Sequence, residues 1–161
     1  MADKIKQLNE LKEILRDLKK QGKKIVFTNG CFDLIHIGHI YYLKEAKKLG
    51  DILIIGINSD ESVRRIKGNN RPITSENERA EILSAFRIVD YVIIFPEEDP
   101  IKLISELLPD VLVKGGNWAI DKVLGRDIVE SRGGKVETIP AIDNKSTTTL
   151  ISTVLERYGA A

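Results

Sequence analysis

Both histidines of the chain, His36 and His39, stand three residues apart with Gly38 between them. They follow the apolar run Ile25–Thr28 and the pair Asn29-Gly30, at the point where a helical pattern begins. The free N–H groups and the dipole of a helix start favour an anion, and residues i and i+3 of a helix share a face. A single histidine is most often structural. Two at this spacing beside a glycine predict a site in which both imidazoles reach one phosphate chain.

Three further polar clusters could meet the same anion. They are the basic stretch with Lys67 and Arg71, the turn Gly115–Trp118, and the hydroxyl run Ser146–Thr148 at a helix start. Cations and helix-start hydroxyls bind phosphates, and glycines let the main chain approach a flat ring. Each cluster also has a structural interpretation: a solvated basic surface, a turn whose tryptophan fills a gap, or a plain N-cap.

Alternating apolar runs and helical patterns indicate how these clusters come together. Five short runs rich in Ile, Val and Phe predict strands near 25–28, 51–58, 91–95, 111–113 and 135–139, with helices between them. This order predicts α/β architecture: a single doubly wound, Rossmann-like parallel sheet with helices on both faces. Ligands of such sheets bind beyond the carboxyl ends of the strands at a topological switch point, and the polar clusters follow the first, second, fourth and fifth strands.

The first 22 residues predict an amphipathic helix. Gly22 is a natural helix stop, and apolar residues recur at helical spacing: Ile5, Leu8, Leu11, Leu15 and Leu18. We expect this helix, residues 1–22, to pack on the body or on a partner. Residues 23–161 are expected to form one globular unit.

The composition excludes several classes of protein. The 161 residues include 25 Lys+Arg and 24 Asp+Glu, so the formal charge of +1 argues against a dedicated nucleic-acid binder. Cys31 is the only cysteine, which excludes an internal disulfide and argues against a structural zinc cluster. The charged amino terminus and the lack of any apolar stretch approaching about 20 residues predict a cytoplasmic protein with no membrane segment.

Two segments match the signatures of a known enzyme family. Gly30-x-Phe32-Asp33-x-x-His36-x-Gly38-His39 resembles the first signature of the cytidylyltransferase-like nucleotidyltransferases, and Lys145–Thr148 resembles their second, Ile-Ser-Thr-Thr. The closer resemblance is to the adenylyltransferase domain of ADP-heptose synthase, and it covers nearly the whole chain from Lys23 onward. Further matching segments are Phe27–Asp33, Asn58–Asp60, Lys67-Gly68, Arg71-Pro72, Glu78-Arg79, Leu112–Gly116 and Gly133-Gly134.

This resemblance implies a reaction. D-glycero-β-D-manno-heptose 1-phosphate would attack the α-phosphorus of ATP in line, giving ADP-heptose and pyrophosphate. The acceptor phosphate is already an anion, so no general base is required and catalysis depends on alignment and charge stabilisation. Mg²⁺ is implied as the cofactor, held mainly by the nucleotide phosphates, and no protein metal site is predicted.

The resemblance also implies a role for each matching residue. The catalytic residues would be His36, His39 and Lys67, and the residues that bind the sugar phosphate would be Asp33, Asn58 and Arg79. Arg79 could instead be structural, paired with Glu76 or another acid. The nucleotide would bind to Thr28, Asn29, Gly30, Cys31, Phe32, Gly38, Arg71, Lys114, Gly115, Gly116, Asn117, Trp118, Ser146, Thr147 and Thr148.

Several alternatives stay open at this point. Thr149 and Ala141 stand where many cytidylyltransferases carry a basic residue, which weakens a CTP assignment. The same chemistry would serve a glycerol-3-phosphate or phosphoethanolamine cytidylyltransferase or an FMN adenylyltransferase. A non-catalytic nucleotide-binding module would instead dock through Leu8, Leu11 and Leu15. The resemblance further implies a homodimer and a separate heptose kinase that makes the substrate.

Overall fold

A five-stranded parallel sheet forms the centre of the structure, a computed structural model that describes residues 3–143 and 145–159. The strands are β1 (Ile25–Gly30), β2 (Ile52–Asn58), β3 (Tyr91–Phe95), β4 (Val111–Gly115) and β5 (Lys135–Ile139). Their order across the sheet is β3-β2-β1-β4-β5, and every neighbouring pair is parallel. The predicted doubly wound α/β fold is confirmed.

Within the described residues, seven α-helices connect and cover the strands. They are α1 (Leu8–Lys20), α2 (Ile37–Lys47), α3 (Asp60–Lys67), α4 (Glu76–Ser84), α5 (Ile101–Leu107), α6 (Arg126–Glu130) and α7 (Thr147–Tyr158). A capping box begins α4, because the side chains of Ser75 and Glu78 bond each other's backbone N–H groups. None of these helices is long and apolar enough to cross a lipid bilayer.

The continuous apolar strands are explained by helices on both faces of the sheet. Phe27 and Ile54 belong to one core, together with residues of α1 and α5. Val26 and Ile55, their neighbours in sequence, belong to a second core with residues of α2 and α4. Because successive side chains of a strand point to opposite faces, both faces need apolar residues.

The N-terminal helix begins later than the sequence predicts. Before α1 the chain runs along the edge strand β3, where Ile5 pairs in parallel with Val92. The Lys6 amide donates to the Val92 carbonyl, and the Val92 amide donates to the Lys4 carbonyl, both at 2.9 Å. The predicted helical position of Ile5 is therefore wrong, because this pairing satisfies backbone groups at the open edge of the sheet.

The apolar face of α1 is covered by the body of the protein. Leu11 and Leu15 are buried in the same core as Ile25 and Phe27. The docking surface expected from Leu8, Leu11 and Leu15 is therefore contradicted, since a partner could reach two of these three side chains only if α1 left the body.

Candidate active site

One cleft of about 720 Å³ lies at the carboxyl ends of the strands, beside β1 and β4. The chain leaves β1 towards β2 on one side, whereas β4 leads to β5 on the other, so this is the topological switch point of the sheet. Every predicted site residue lines the cleft except Thr28, Asn117 and Arg79. The predicted residues in its lining are Asn29, Gly30, Cys31, Phe32, Asp33, His36, Gly38, His39, Asn58, Lys67, Arg71, Lys114, Gly115, Gly116, Trp118, Ser146, Thr147 and Thr148.

The two histidines stand side by side at the start of α2. Their rings stack, with centroids 3.8 Å apart and planes inclined by 29°, and the His39 ring lies 5.1 Å from that of Phe32. His36 is the N-cap of α2, and its Nδ1 accepts a hydrogen bond of 3.1 Å from the Gly38 amide. Because Nδ1 accepts, a neutral His36 carries its proton on Nε2, which is then a donor for an anion.

Both imidazoles are neutral at pH 7 in the free protein. Burial, with a smaller contribution from His36, lowers the pKa of His39 to about 4, and burial also lowers the pKa of His36. His39 Nδ1 is buried and has no hydrogen-bond partner among the described residues. An anion bound beside the two rings would therefore accept hydrogen bonds from neutral imidazole N–H groups and would not pair with two imidazolium cations.

Gly38 is required by the close packing at this helix start. A Cβ at this position would come within 2.9 Å of the His36 ring and 3.4 Å of the Lys145 carbonyl oxygen. No ordinary side chain fits so close to a ring, so the start of α2 needs glycine at this position. The contact also places the loop before α7 against the start of α2.

Three lysines supply positive charge to the cleft without a carboxylate partner among the described residues: Lys67, Lys114 and Lys145. The Lys114 Nζ lies 3.4 Å from Asn29 Oδ1 and 5.9 Å from the Trp118 ring centroid. Burial lowers the pKa of Lys114, the Cys31 thiol opposes that shift, and Lys67 adds to it. A buried cation without a counter-charge is costly, so an incoming anion gains more here than at the open surface.

Asp33 lines the cleft, but both of its carboxylate oxygens are already bonded. Oδ2 accepts from Arg71 Nε, and Oδ1 accepts from the amides of Ile73 at 2.8 Å and Thr74 at 3.1 Å. Burial alone would raise the pKa of Asp33, but the bonds from Thr74, Arg71 and Ile73 outweigh it and hold that pKa below its usual range. The observed contacts of Asp33 brace the loop that carries Arg71.

Asn58 has a similar bracing position at the end of β2. Its Nδ2 donates to Ser62 Oγ at 3.0 Å and to the Glu97 carbonyl at 3.2 Å. The side chain is buried and lines the edge of the cleft. It ties the start of α3 to the segment after β3.

Three predicted site residues lie outside the cleft. Thr28 is fully buried and its hydroxyl is bonded to that of Tyr42, so it offers no side-chain contact to a nucleotide. Asn117 is exposed beyond the rim. Arg79 is fully buried behind the site, which corrects its predicted place at the sugar phosphate.

The Arg79 guanidinium is fully engaged with the protein. Nε donates to the Thr74 carbonyl at 3.1 Å, Nη1 to the Cys31 carbonyl at 2.6 Å and Nη2 to Asp60 Oδ1 at 2.7 Å. These partners belong to the loop after β1, the start of α3 and the loop before α4. Arg79 therefore joins three segments that shape the cleft.

The turn after β4 projects an aromatic ring at the mouth of the cleft. Gly116 has a φ of +111°, and its amide donates to the Ile139 carbonyl at 2.8 Å. The side chain that follows, Trp118, is 52% exposed, so the interpretation that it fills a gap in the core is wrong. An exposed indole beside a cleft is available to stack on a flat ring.

The start of α7 forms another wall of the cleft. Ser146 Oγ accepts from the Thr149 amide at 3.0 Å, as in an ordinary N-cap, and lies 2.8 Å from the Thr149 hydroxyl. Thr147 Oγ1 donates to the Leu34 carbonyl at 3.3 Å, which links α7 to the loop before α2. Two helix N-termini therefore line the same cleft, and both favour anions.

Several lining residues were not among the predicted site residues. They are Tyr42, Ile66, Glu98, Pro100, Leu124, Ile139, Pro140, Ala141, Ile142 and Lys145. Tyr42 stands one turn after His39, and Lys145 directly precedes the hydroxyl run, so helical spacing and adjacency could have identified these two. The others enter the lining through tertiary packing, for which the sequence carries no local signal.

Curated relatives match nearly the whole of this chain. The bifunctional protein HldE of Geobacter metallireducens is 54% identical over 156 residues, which are 97% of this chain and 32% of that protein. The bifunctional protein HldE of Syntrophotalea carbinolica is 51% identical over 155 residues, which are 96% of this chain and 32% of that protein. The chain thus spans about a third of the length of these relatives.

Solved structures share the fold. A lipopolysaccharide core biosynthesis protein from Thermoplasma volcanium superposes with a TM-score of 0.65 at 35% identity, covering 76% of this chain and all of that one. A pantoate-beta-alanine ligase from Francisella tularensis superposes with a TM-score of 0.58 at 18% identity, covering 96% of this chain and 80% of that one. The second likeness is one of fold alone.

The sequence pattern of one family spans both the histidine pair and the start of α7. The cytidylyltransferase-like family profile matches residues 27–157, a range that contains every predicted site residue. The histidines, the glycine turn and the hydroxyl run of that range line one cleft at the switch point of the sheet. The chain therefore belongs to the cytidylyltransferase-like family and is a nucleotidyltransferase.

Proposed function

We propose that this nucleotidyltransferase transfers AMP from ATP to D-glycero-β-D-manno-heptose 1-phosphate. An oxygen of the acceptor phosphate bonds to the α-phosphorus, the bond from that phosphorus to the bridging oxygen of the β-phosphate breaks, and pyrophosphate leaves with the electron pair. The products are ADP-heptose and pyrophosphate, and both reactant phosphates are anionic, so no proton must be removed from the nucleophile.

The observation that carries this proposal is the pair of stacked, neutral imidazoles at the start of α2, in a cleft that the start of α7 also lines. A triphosphate laid between the two helix starts would meet backbone N–H groups from both ends. The sugar acceptor is supported by the resemblance of the motifs to ADP-heptose synthase, by the HldE relatives, and by the Thermoplasma protein of lipopolysaccharide core biosynthesis.

In this mechanism, alignment and charge stabilisation supply the rate enhancement. His36 and His39 donate to oxygens of the α-phosphate, where negative charge develops. Lys67 and Arg71 meet the phosphates from the segment after β2, and Lys114 adds a partly buried positive charge at the end of β4. Donors fixed before the reaction begins avoid the cost of reorganising solvent, which is the usual source of large rate effects in phosphoryl transfer.

The nucleotide base binds at the mouth of the cleft in this proposal. The main chain of Gly115 and Gly116 approaches the adenine, and the exposed Trp118 indole stacks beside it. Ser146, Thr147 and Thr148 bind phosphate oxygens through the start of α7. Cys31 and Phe32 contribute through the loop after β1, which Arg79 and Asp33 hold in place.

Mg²⁺ would be held at this site mainly by the phosphates of the nucleotide. The carboxylates that line the cleft, Asp33 and Glu98, are bonded to Arg71 and to Arg65, so the residues fit a metal held mainly by phosphate oxygens. The ion supplies neutralisation of the triphosphate charge. Within the described residues, no group of three or more His, Cys, Asp or Glu side chains could hold it alone.

A sugar kinase must make the 1-phosphate acceptor, and the enzyme works in the cytoplasm, where ATP and sugar phosphates occur.

The enzyme acts as a homodimer in this proposal. Helix α7 offers a surface for it, because Val154, Leu155 and Tyr158 are exposed and the helix has no buried side chain. Sedimentation equilibrium should give twice the chain mass, and Leu155→Glu should give the single mass. A monomeric wild-type protein would contradict the homodimer but not the proposed reaction.

The experiment that tests the function measures pyrophosphate release with Mg²⁺ and a panel of substrates. ATP with D-glycero-β-D-manno-heptose 1-phosphate should give the highest kcat/KM. CTP should be a poor donor, and glycerol 3-phosphate, phosphoethanolamine and FMN poor acceptors. A higher kcat/KM for CTP or for another acceptor would replace the proposed substrate, and ATP binding without turnover of any acceptor would contradict the reaction.

A further inference from the structure

A second cleft, of about 600 Å³, opens at the other end of the sheet, where β1, β4 and β5 begin. Five basic residues line it, and we name it the basic cleft: Lys19, Lys23, Lys24, Arg132 and Lys135. Among the described residues that line it, the one acid is Asp110. None of its lining residues also lines the active-site cleft.

Helix ends explain one of these cations. The carboxyl ends of α1, α5 and α6 meet near the basic cleft, and such ends attract positive charge. Lys19 is bound at the carboxyl end of α5, where its Nζ donates to the carbonyls of Leu107 at 2.9 Å and Leu108 at 2.6 Å. Lys19 is therefore a structural member of the cleft.

The other four cations are not needed by the helix ends. At the end of α1, the Leu18 carbonyl accepts from the Lys23 amide at 3.1 Å. At the end of α6, the Val129 carbonyl accepts from the Gly134 amide at 3.0 Å. These backbone bonds satisfy the carbonyls that a lysine side chain would otherwise serve.

The same four side chains have no counter-charge in the described structure. The side chains of Lys23, Lys24, Arg132 and Lys135 form no ion pair or hydrogen bond with any described residue, although the chain forms ion pairs elsewhere. The Asp110 carboxylate is partly used, because Oδ2 accepts from the Ile25 amide at 2.7 Å. Like charges gathered around one concavity repel one another unless an anion joins them.

The shape of the basic cleft suits a small ligand. Gly22 and Gly133 lie in its wall with φ of +73° and +80°, and nothing would stand within 4 Å of a Cβ at either position. The main chain is therefore open to the cleft at both turns. A volume of about 600 Å³ lies within the range of about 300–1,000 Å³ that small-molecule sites occupy.

We propose that the basic cleft binds a small ligand that carries two or more linked phosphates. Four cations from two separate segments line the cleft, so they match negative charge spread over linked groups better than a single anion. The concave shape and the net charge of +1 favour a small ligand over nucleic acid. This site is independent of the reaction proposed above.

The test follows backbone amide resonances while inorganic pyrophosphate or ADP is added to the ¹⁵N-labelled protein. The amides of Gly22, Gly133 and Gly134 report on the basic cleft, and those of Gly30 and Gly116 report on the active-site cleft in the same sample. The first three should shift along a saturable curve whose midpoint differs from that of any shift at Gly30 and Gly116. Equal affinities for both probes would show that linked phosphates alone are recognised, and tighter ADP binding would show that a nucleotide is the ligand.

Charge-removal variants decide whether the basic cleft is responsible. K23Q/R132Q/K135Q should weaken binding by about tenfold or more, since each lost charge-assisted contact has a large effect. The matched control R16Q/K44Q/R157Q removes three exposed charges elsewhere and should bind as the wild type does. The proposal is overturned if the glycine shifts are linear and equal to those caused by sodium sulfate at the same ionic strength, or if the cleft variant retains them.

Discussion

The Tyr42 hydroxyl donates a hydrogen bond to the carbonyl oxygen of Val113, 3.1 Å away. The same hydroxyl is bonded to Thr28, so one residue of α2 joins β1 and β4 where the sheet opens into the active site. The ring also lies against Gly115, at which a Cβ would come within 3.1 Å of it. Burial raises the pKa of Tyr42 far above its usual range, so this hydroxyl stays protonated and remains a donor.

We predict that Tyr42→Phe destabilises the protein by about 1–2 kcal/mol. The variant keeps the ring but leaves the Thr28 hydroxyl and the Val113 carbonyl without a buried partner. Urea unfolding monitored by circular dichroism measures the change. Tyr41→Phe is the matched control, because Tyr41 is the preceding residue and is exposed. Equal stability of the two variants would show that the link between the strands has no energetic importance.

His39→Ala should lower kcat by about 10²–10³-fold, the usual cost of one transition-state donor, with little change in the Kd for ATP. The reason is that the hydrogen bond from a neutral imidazole to the α-phosphate strengthens most in the transition state, when negative charge develops there. Initial rates of pyrophosphate release and calorimetric titration with an ATP analogue separate the two effects. Lys44→Ala, an exposed change on the same helix, should preserve kcat. A wild-type kcat in His39→Ala would remove this residue from the catalytic set.

Lys67→Ala should lower kcat and leave the Tm nearly unchanged. Its side chain is exposed at the last residue of α3 and lines the cleft, so its loss removes charge from the phosphates and little packing from the fold. Arg64→Ala, an exposed residue outside the lining, is the control. A large fall in Tm would indicate instead that Lys67 is structural.

Local patterns predicted most of the elements that position the site. His36, Gly38 and His39 lie at one helix start, and each strand is a short apolar run. Both patterns are local in the sequence, so they can be predicted without knowing which residues pack against them. The position of Ile5 is not predictable in this way, because its helical spacing competes with an open strand edge that only the folded sheet provides.

The errors at the site have a common physical cause. Arg79 bonds to Cys31, which is 48 residues away, and to Asp60, which is 19 residues away, so its burial depends on contacts that no local pattern encodes. Glu76, the nearby acid in sequence, does not pair with Arg79 and instead accepts from the Asp60 amide at 2.7 Å. Thr28 likewise looks available at a strand end until Tyr42 covers it.

Arg79→Met should destabilise the protein by about 3–5 kcal/mol, because it leaves the Asp60 carboxylate and the part-buried carbonyls of Thr74 and Cys31 without their donor. Arg79→Lys should recover part of that loss. The lysine keeps the positive charge, but its single ammonium group cannot form all three of the hydrogen bonds that the guanidinium makes. Urea unfolding and KM for the acceptor are measured together. If Arg79→Lys raises the acceptor KM with unchanged stability, Arg79 binds substrate and the bracing role is wrong.

The free energy of unfolding should fall as the pH drops from 6.5 towards 4, in part because of His39. The folded pKa is about 4 and the ordinary value is 6.5, so between these values the unfolded chain binds a proton that the folded chain does not. Unfolding therefore becomes easier as pH falls, by about 2 kcal/mol at pH 5 from this residue alone. His39→Asn should remove that share of the loss, which urea unfolding at pH 7 and pH 5 would measure. An equal loss in wild type and variant would mean that His39 titrates normally in the folded protein, and its burial would not then explain a neutral imidazole at the phosphate site.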